Sequence, residues 1–492
     1  MRAATVLTLV SGDPDHKGRE NMSKIAIVGS GISGLIAGLG LLKQGHDVTI
    51  YSALSAEDWL TKVPPTGTAC RFASSLDLER DLGVNHWEDS TPIEGIHLTF
   101  CPKPGRQLID LMGRFDRKAL AIDVRLQSHR WTHDFEERGG KVVVANVDVP
   151  MLETIAAEAD LTLVAAGKAE IGKLFEVDEA RTVYDKPQRN LAMFVIRNAK
   201  LDRRREGVQL DHGIKFNFFG TEGEQFSIPY WHKDGFQCWN ALFEARPGRA
   251  FDKFSDCDTG PKLLARVKEL FKQYIPWDYD WIKDAELADA NGWLRGSFRP
   301  CVKRPVGTLP SGAKVMALGD TANAIDPIGG QGANNCYRQI RNLLSATAAN
   351  AEADYSQDWM QATFDEYYMT IGKATNDFNN LLLEALTPAA QRLLIAQYGS
   401  TGAADDTSVH QKLANAFCDN FDNPNQLTRQ LLDAAASKAY VDKISGGKAG
   451  SIDIRNKLKI AGGQIRQIVG LPRSNHPLAR MTPQIVGNPK FV

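Results

Sequence analysis

The chain has 492 residues, which is long for one hydrophobic core and predicts two or three domains. Lysine plus arginine (58) nearly balance aspartate plus glutamate (59), and the net charge of −1 argues against a partner such as nucleic acid or an anionic membrane. The seven cysteines form no C-x-x-C pair, so the sequence predicts no disulfide framework or zinc cage and favours a cytoplasmic setting.

The first 21 residues have too short an apolar run for a signal sequence and predict a disordered leader. A strand over 24–28, a helix over 33–44 and a strand over 47–51 then predict a βαβ unit. The elements predicted to continue it are a helix over 124–138 and strands over 141–145 and 161–165.

From residue 191 to 244, apolar residues alternate with period two between glycine-containing turns, which predicts an aromatic-rich antiparallel sheet. A helix follows over 262–274, and a strand–glycine–helix pattern returns over 315–332. The remainder is mainly helical, with an extended tail predicted after about residue 472.

A G-x-G-x-x-G motif lies in the segment KIAIVGSGISGLIAGL, between the first strand and the first helix. Gly29 permits the tight turn, Gly31 lets the backbone approach a pyrophosphate, and Gly34 lets the helix pack closely on the strand. The first amides of the helix would face the phosphates. The predicted dinucleotide site also includes the intervening residues Ser30, Ile32 and Ser33.

Ser52 ends the second strand, where an NAD-binding protein usually carries an acidic residue. An acid there accepts hydrogen bonds from both ribose hydroxyls, whereas a serine offers at most one weaker contact. NAD is therefore a less favoured ligand, although Ser52 by itself does not select FAD.

A second glycine cluster, ALGDTANAIDPIGGQGANN, spans residues 317–335. Asp320 ends a strand, where its carboxylate can accept a hydrogen bond from a polyol hydroxyl. Pro327 leads into a helix whose N-terminus would stabilise the negative charge of a reduced flavin. The predicted flavin-binding residues of this cluster are Asp320, Pro327, Gly330, Gly332, Ala333 and Asn334.

These segments resemble the epoxidase component of the styrene/indole monooxygenases, a family of two-component flavoproteins that use FADH₂. The matching stretches are GSGISG, IDVRLQ, ERGGKVVV, AAGKAEIGKLF, YDKPQRNLAMF and LGDTANAIDPIGGQGAN. One departure lies at residues 66–68, where the family's Leu-Asn-Thr reads Thr-Gly-Thr, so a polar side chain of the family's pocket is lost.

The resemblance implies a monooxygenase that inserts one oxygen atom of O₂ into an apolar aromatic or vinyl-aromatic substrate through a C4a-hydroperoxide of FAD. Reduced FAD would be a co-substrate supplied by a separate NAD(P)H:flavin reductase. In agreement, Ala166-Gly167 stands where single-component hydroxylases carry an Asp-Gly motif tied to NAD(P)H use. The flavin carries the difficult chemistry, and no dedicated catalytic acid, base or nucleophile is evident. The sequence leaves open whether the chain forms a homodimer.

The resemblance also implies FAD contacts at Arg125, Val147, Ala166 and Gly167. We expect the aromatic sheet as a whole to cover a dry substrate pocket above the flavin, although core packing explains any single aromatic residue better. The substrate-pocket candidates are Thr68, Phe216, Phe218, Tyr230, Trp231 and Pro327.

The expected fold class is α/β, with an FAD-binding Rossmann-like domain of the glutathione-reductase or hydroxylase type interrupted by an antiparallel-sheet substrate domain. The predicted segments are a leader (1–21), the first part of the FAD-binding domain (22–185), the substrate domain (186–300), the second part of the FAD-binding domain (301–350) and a helical C-terminal region with an extended tail (351–492).

His129 and His133 have the i, i+4 spacing of a helical metal motif, but the sequence His-Arg-Trp-Thr-His lacks the glutamate of a metalloprotease. We therefore predict a structural or surface pair and no metal site.

Three other functions stay open: a flavin-dependent halogenase, a single-component NAD(P)H-dependent hydroxylase, and a non-catalytic FAD-binding module. A halogenase is expected to carry a Trp-x-Trp-x-Ile-Pro stretch. Here Ile228-Pro229-Tyr230-Trp231 shows only a fragment of it in another order.

Overall fold

The computed structural model describes residues 22–67, 69–166, 169–199 and 212–471. In the described residues, two large sheets and a set of C-terminal helices enclose three hydrophobic cores, and Cys301–Val302 pairs with Asn323–Ala324 in a small third sheet. The predicted α/β fold class, with a Rossmann-like unit, an inserted sheet and a helical C-terminal region, is confirmed. The predicted leader and the tail after residue 471 lie outside the described residues.

The parallel sheet contains the predicted βαβ unit. Its spatial order is Val306–Thr308, Lys314–Ala317, Leu161–Val164, Lys24–Val28, Asp47–Ser52 and Lys141–Val144. All neighbours are parallel except the first two, which form a hairpin at the edge. Lys24–Val28 is buried after its first residue, as expected for a central strand covered by helices on both faces. Because the strands are parallel, the loops after them meet at one edge of the sheet.

Three helices cover this sheet closely. Ile32–Lys43 packs against Gln331–Ala349, and a Cβ at Gly40 would lie 2.5 Å from Leu344. Val124–Glu137 starts at Asp123, whose side chain accepts a hydrogen bond from the backbone of Arg125, and it ends before Gly139 with φ +91°. The other helices of this half are Ala56–Thr61, Ala73–Asp81, Val149–Glu158 and Ala169–Gly172.

The larger sheet is mixed. Its order is Glu286–Leu287, Asn190–Arg197, Gln237–Ala245, Gly223–Trp231, Gly213–Phe219, Ile93–Cys101, Ile109–Ala121 and Cys70–Arg71, and Trp293–Gly296 also pairs with Asn190–Arg197. Only the pairing of Ile93–Cys101 with Gly213–Phe219 is parallel. The helices Gly260–Tyr274 and Tyr279–Ile282 follow the central strands, and Gly260–Tyr274 covers one face of the sheet.

Three strands of the mixed sheet come from residues 70–121, a region without predicted strands. The two sheets therefore cross the predicted boundary at residues 185 and 186. Ile93–Cys101 and Ile109–Ala121 pair with each other, but they join the mixed sheet through Gly213–Phe219, more than a hundred residues away, so the local sequence did not reveal their place in it. The division of the chain into segments stays a prediction.

The C-terminal helices from Lys373 onward pack against the other face of the mixed sheet, whereas Gln357–Tyr367 packs in the core of the parallel sheet. Val409–Asp422 lies close to Ile109–Ala121, because a Cβ at Gly113 would be 2.2 Å from the carbonyl oxygen of Ala414. The C-terminal helices are Gln357–Tyr367, Lys373–Leu383, Pro388–Ala396, Val409–Asp422, Thr428–Leu432, Ala434–Ser445 and Ala449–Ile468. Among the described residues, no helix has the length and apolar character that crossing a bilayer requires.

Candidate active site

A cavity of about 1030 Å³ opens at the carboxyl edge of the parallel sheet and extends to the mixed sheet. Thirteen of the predicted site residues line it. They are Gly29, Ser30, Gly31, Ile32, Ser33, Ser52, Val147, Ala166, Asp320, Pro327, Gly330, Gly332 and Ala333. The two glycine clusters, which lie far apart in sequence, therefore meet at one site.

The first glycine cluster leaves an open helix N-terminus at the cavity. Gly29 has φ +116°, and a Cβ there would lie 2.7 Å from the carbonyl oxygen of Ala165. A Cβ at Gly34 would lie 1.9 Å from the carbonyl oxygen of Gly29, whereas one at Gly31 would meet nothing within 4 Å. The helix after Gly31 has no side-chain cap and no acidic residue in its first turn. Its free amides and positive dipole end therefore suit a phosphate group.

The second glycine cluster opens another helix N-terminus at the same cavity. Gln331–Ala349 starts after Gly330, which has φ +59° and supplies no side-chain cap, and the first turn again lacks an acidic residue. A Cβ at Gly332 would meet nothing within 4 Å. Two uncapped helix ends thus face one cavity, an arrangement that favours an anionic ligand.

Asn334 holds the second glycine cluster in place through four hydrogen bonds. Its Oδ1 accepts hydrogen bonds from the backbone N–H of Phe72 and the hydroxyl of Ser75, each at 2.9 Å. Its Nδ2 donates to the carbonyl oxygens of Cys70 and Gly330 at 2.9 and 2.8 Å. Asn334 does not line the cavity, and the predicted FAD contact at this residue stays a prediction.

Asp320 supplies the only carboxylate among the described residues that line the cavity. Its side chain lies deep in the fold but is open to the cavity, and burial raises the pKa of this carboxyl to about 6. The preceding Gly319 has φ +65°, and a Cβ there would lie 2.3 Å from Ser33 Oγ. This close contact fixes Asp320 beside the first glycine cluster.

The hydroxyl of Ser52 is already hydrogen-bonded to other groups of the protein. Ser52 Oγ lies 2.6 Å from Ser30 Oγ, donates to the carbonyl oxygen of Leu54 at 2.7 Å, and accepts from the Leu54 amide at 3.0 Å. Trp59 Nε1 donates to Ser30 Oγ at 3.1 Å. Ser52, which stands where an acid is usual, therefore links the loop of Ser30 to the loop of Leu54. Through Ser30 and Trp59 this network also reaches the short helix Ala56–Thr61.

The opposite end of the cavity is apolar and includes the inner face of the mixed sheet. Leu191 and Met193 point into the cavity, while the alternating residues Ala192 and Phe194 belong to the core beneath Gly260–Tyr274. The apolar residues at this end are Ala69, Cys70, Val124, Leu191, Met193, Leu242, Ile325 and Pro327. Sequence reasoning missed the three sheet residues Leu191, Met193 and Leu242, although their period-two spacing carried the signal.

The predicted aromatic candidates do not line this cavity. Phe216 stacks on Phe226 with ring centroids 5.4 Å apart, and Phe216 and Phe218 pack against the C-terminal helices around a second space of about 20 Å³. Tyr230 is fully buried in the same core, and alternation places Trp231 on the opposite face of the strand. Their role in substrate binding stays a prediction. Among the substrate-pocket candidates, the structure brings Pro327 to the cavity.

Arg125 is buried and paired with two carboxylates. Its Nη2 lies 2.8 Å from both Asp123 Oδ2 and Asp289 Oδ2, and Asp289 Oδ2 also lies 2.8 Å from His232 Nε2. Arg125 does not line the cavity, so its predicted FAD contact stays a prediction. The arrangement joins the start of Val124–Glu137 to the loop that carries Asp289.

Thr66 and Gly67 line the cavity between its two ends, and Asn240 Nδ2 donates to the carbonyl oxygen of Gly67 at 3.3 Å. Thr68 and Gly167, two predicted site residues, lie outside the described residues. Ala166 is described and lines the cavity, and its carbonyl oxygen accepts from Thr321 Oγ1 at 3.2 Å.

The mouth of the cavity is cationic. Lys173, Arg295, Arg299 and Lys303 line it, against the single carboxylate of Asp320. Backbone carbonyls hold three of these cations: Arg299 Nε donates to Tyr184 at 2.6 Å, Lys303 Nζ to Gly172 at 2.8 Å, and Arg295 Nη1 to Ser255 at 2.6 Å. This charge balance attracts anions.

These features fit FAD. The open space at Gly31 leaves room for a pyrophosphate beside free amides, and Asp320 offers an acceptor to a polyol chain. The second helix end, at Gly330, suits the flavin ring, where charge develops on reduction. The apolar end leaves space for a second, apolar molecule.

Sequence comparison identifies relatives among flavin enzymes. A profile described as the putative substrate-binding domain of styrene monooxygenase A matches residues 167–280. The chain is 26% identical over 413 residues to styrene monooxygenase StyA of Pseudomonas fluorescens, which covers 82% of this chain and 94% of that protein. It is 24% identical over 330 residues to kynurenine 3-monooxygenase of Anopheles gambiae, with coverage of 63% and 64%.

Solved structures share the fold at lower identity. A flavoprotein/dehydrogenase from Cytophaga hutchinsonii gives a TM-score of 0.58 at 12% identity, over 87% of this chain and 100% of that chain. The p-nitrophenol 4-monooxygenase PnpA from Pseudomonas putida gives 0.55 at 14% identity, over 83% and 99%. The flavin-dependent halogenase CmlS gives 0.55 at 16% identity, over 91% and 78%. At these identities the likeness concerns the fold alone.

The sequence relatives extend along most of the chain, and the glycine clusters on which the resemblance was based meet at one cavity. The chain is a styrene-monooxygenase-like flavoprotein and acts as a flavoprotein monooxygenase.

Proposed function

We propose that this monooxygenase takes reduced FAD from a separate NAD(P)H:flavin reductase and inserts one oxygen atom of O₂ into an apolar aromatic or vinyl-aromatic molecule. The observation that carries the proposal is the single cavity, which joins two uncapped helix ends to an apolar sheet face. Styrene is the substrate in the name of the StyA relatives, and an indole or styrene ring matches the apolar character of this face.

The proposed electron source rests on the residues around Ala166. Single-component hydroxylases place an acidic residue at this position, and here a methyl group faces the cavity. The described residues contain one parallel sheet of the dinucleotide-binding type, and the FAD site proposed here would occupy its carboxyl edge. We therefore expect NADH alone to leave the flavin oxidised.

Reduced FAD would supply the activation of O₂, and the protein would supply binding, orientation and exclusion of water. The amides at Gly31 and Gly332 would hold the anionic parts of the cofactor, and Asp320 would accept from its polyol chain. Met193 and Leu242 would hold an apolar substrate at the other end. Because no acid or base is required at the substrate, the apolar wall is consistent with oxygen transfer to a carbon–carbon double bond.

The test supplies photoreduced FAD, O₂ and a panel of indoles, styrenes and fused aromatics to the full chain, and detects products by mass. We expect one added oxygen atom on at least one substrate, labelled when ¹⁸O₂ is used. Bromide and chloride in the same reactions test the halogenase alternative, which a halogenated product would establish. FAD binding without any product in this panel would support the non-catalytic alternative. Rapid bleaching of bound FAD by NADH would overturn the two-component assignment.

A further inference from the structure

Three potential metal ligands meet on the outer surface of Val124–Glu137. His129 and His133 are one turn apart on this helix, with ring centroids 4.8 Å apart. Glu57 reaches them from the helix Ala56–Thr61, and its Oε1 lies 3.6 Å from His133 Nε2. One ligand atom from each of the three residues lies within 4.8 Å of the others. The carboxylate that the local sequence lacks is therefore supplied by another helix.

The spacing suits a small divalent cation. Zinc bonds of about 2.0–2.1 Å to nitrogen and oxygen place neighbouring tetrahedral ligands roughly 3.3 Å apart. The Glu57 and His133 side chains are 69% and 38% exposed, so both can rotate by the small distance that closure requires. Two imidazoles and a carboxylate are a donor set that zinc accepts, with water in the remaining position.

A further carboxylate lies behind one of the ligands. Glu136 Oε2 is 4.0 Å from His133 Nδ1, on the ring edge away from the nitrogen that faces Glu57. A carboxylate there favours the tautomer with the proton on Nδ1, which leaves Nε2 free to bind a metal. At 4.0 Å the two atoms are not hydrogen-bonded, and a small rotation of the exposed Glu136 side chain would bring them within bonding distance.

We propose that Glu57, His129 and His133 bind a divalent transition cation, with Zn²⁺ as the reference ion. The bound ion fixes the helix Ala56–Thr61 against Val124–Glu137. This short helix also carries Trp59, which lines the large cavity and donates to Ser30 Oγ. The cation site therefore supports, from outside the cavity, the loop that contains Ser30 of the first glycine cluster, and it takes no part in the chemistry.

The test uses the full chain after treatment with a chelator and desalting, and titrates it with ZnCl₂ by calorimetry. We expect one equivalent of zinc with micromolar or tighter affinity. Glu57→Gln should weaken binding at least about tenfold, and His133→Gln about a hundredfold, since each removes one of three ligands. Glu137→Gln is the matched control, because Glu137 lies on the same helix as an exposed carboxylate outside the cluster, and it should leave the affinity unchanged.

Two further measurements separate this site from other sources of binding. The cobalt-loaded protein should lack a thiolate-to-metal charge-transfer band, which excludes the cysteines. Hydrogen exchange of amides 58–61 should slow at least about threefold with zinc in the parent protein and remain unchanged in Glu57→Gln. No zinc binding, or an affinity that Glu57→Gln and His133→Gln leave unchanged, would overturn the proposal.

Discussion

The two ends of the cavity are built from different parts of the chain. At the end formed by the two glycine clusters, the lining is mainly backbone: glycines, two uncapped helix ends and a strand terminus. At the apolar end, side chains such as Leu191, Met193 and Leu242 form the wall, and they come from two strands of another sheet. A backbone site depends on a few residues with special conformations, whereas a side-chain wall depends on which face of a strand points inward.

The largest effect is expected at Gly34, the glycine that the fold itself requires. A Cβ at this position would lie 1.9 Å from a backbone oxygen, so Gly34→Val must displace the helix Ile32–Lys43 from its strand. We expect a loss of about 3 kcal/mol in the free energy of unfolding, measured by urea denaturation. Parent-like stability would show that the close packing of helix on strand is not needed.

At the apolar end, Met193→Ala should lower kcat/KM for any substrate found in the panel. Loss of buried contacts in an apolar pocket costs about 2 kcal/mol, or roughly thirtyfold. The FAD affinity should change little, because Met193 lies on a strand of the mixed sheet and belongs to neither glycine cluster. Phe216→Leu is the matched control: Phe216 is a core residue that does not line the cavity, so this change should reduce stability and leave kcat/KM unaltered. If Phe216→Leu lowered kcat/KM and Met193→Ala did not, the aromatic residues would form the substrate wall instead.

Gly31 lies in the same motif as Gly34, but we expect it to matter for cofactor binding and not for folding. A Cβ at Gly31 meets nothing within 4 Å, and its φ of −76° is accessible to any residue, so Gly31→Val should fold normally. Its side chain would fill the space that a pyrophosphate needs. We expect FAD affinity to fall at least about tenfold, or ~1.4 kcal/mol, in a fluorescence titration. A variant that binds FAD like the parent would place the pyrophosphate elsewhere.

The smallest effect concerns the charge of Asp320. Burial raises the pKa of this carboxyl to about 6 in the cofactor-free protein, and hydroxyl donors of FAD would favour the ionised form. Binding below pH 6 must therefore remove a proton, so affinity should fall as the pH decreases. Between about pH 7.5 and 5.5 we expect a decrease of about fourfold. Asp320→Asn should bind more weakly but show no such pH dependence. An equal pH dependence in this variant would assign the proton to another group.

The sequence by itself determined the βαβ unit, both glycine clusters and the α/β fold class. These features are local: a tight turn, an open helix end or a buried strand depends on a few consecutive residues, so the motif carries the structure. The resemblance implied that the clusters of Gly29 and Gly319 belong to one FAD-binding domain, and both line the same cavity because they follow parallel strands of one sheet.

Only the tertiary structure decided which sheet, cavity wall or ion pair the distant segments of the chain belong to. It placed strands from 93–121 in the mixed sheet, turned Leu191 and Met193 rather than Phe216 toward the cavity, and paired Arg125 with Asp289. It also brought Glu57 to His129 and His133. Each of these outcomes depends on strand pairing or helix docking across tens to hundreds of residues. Period-two alternation defines two faces of a strand, but only the packing of the whole molecule selects which face lines a cavity and which enters the core.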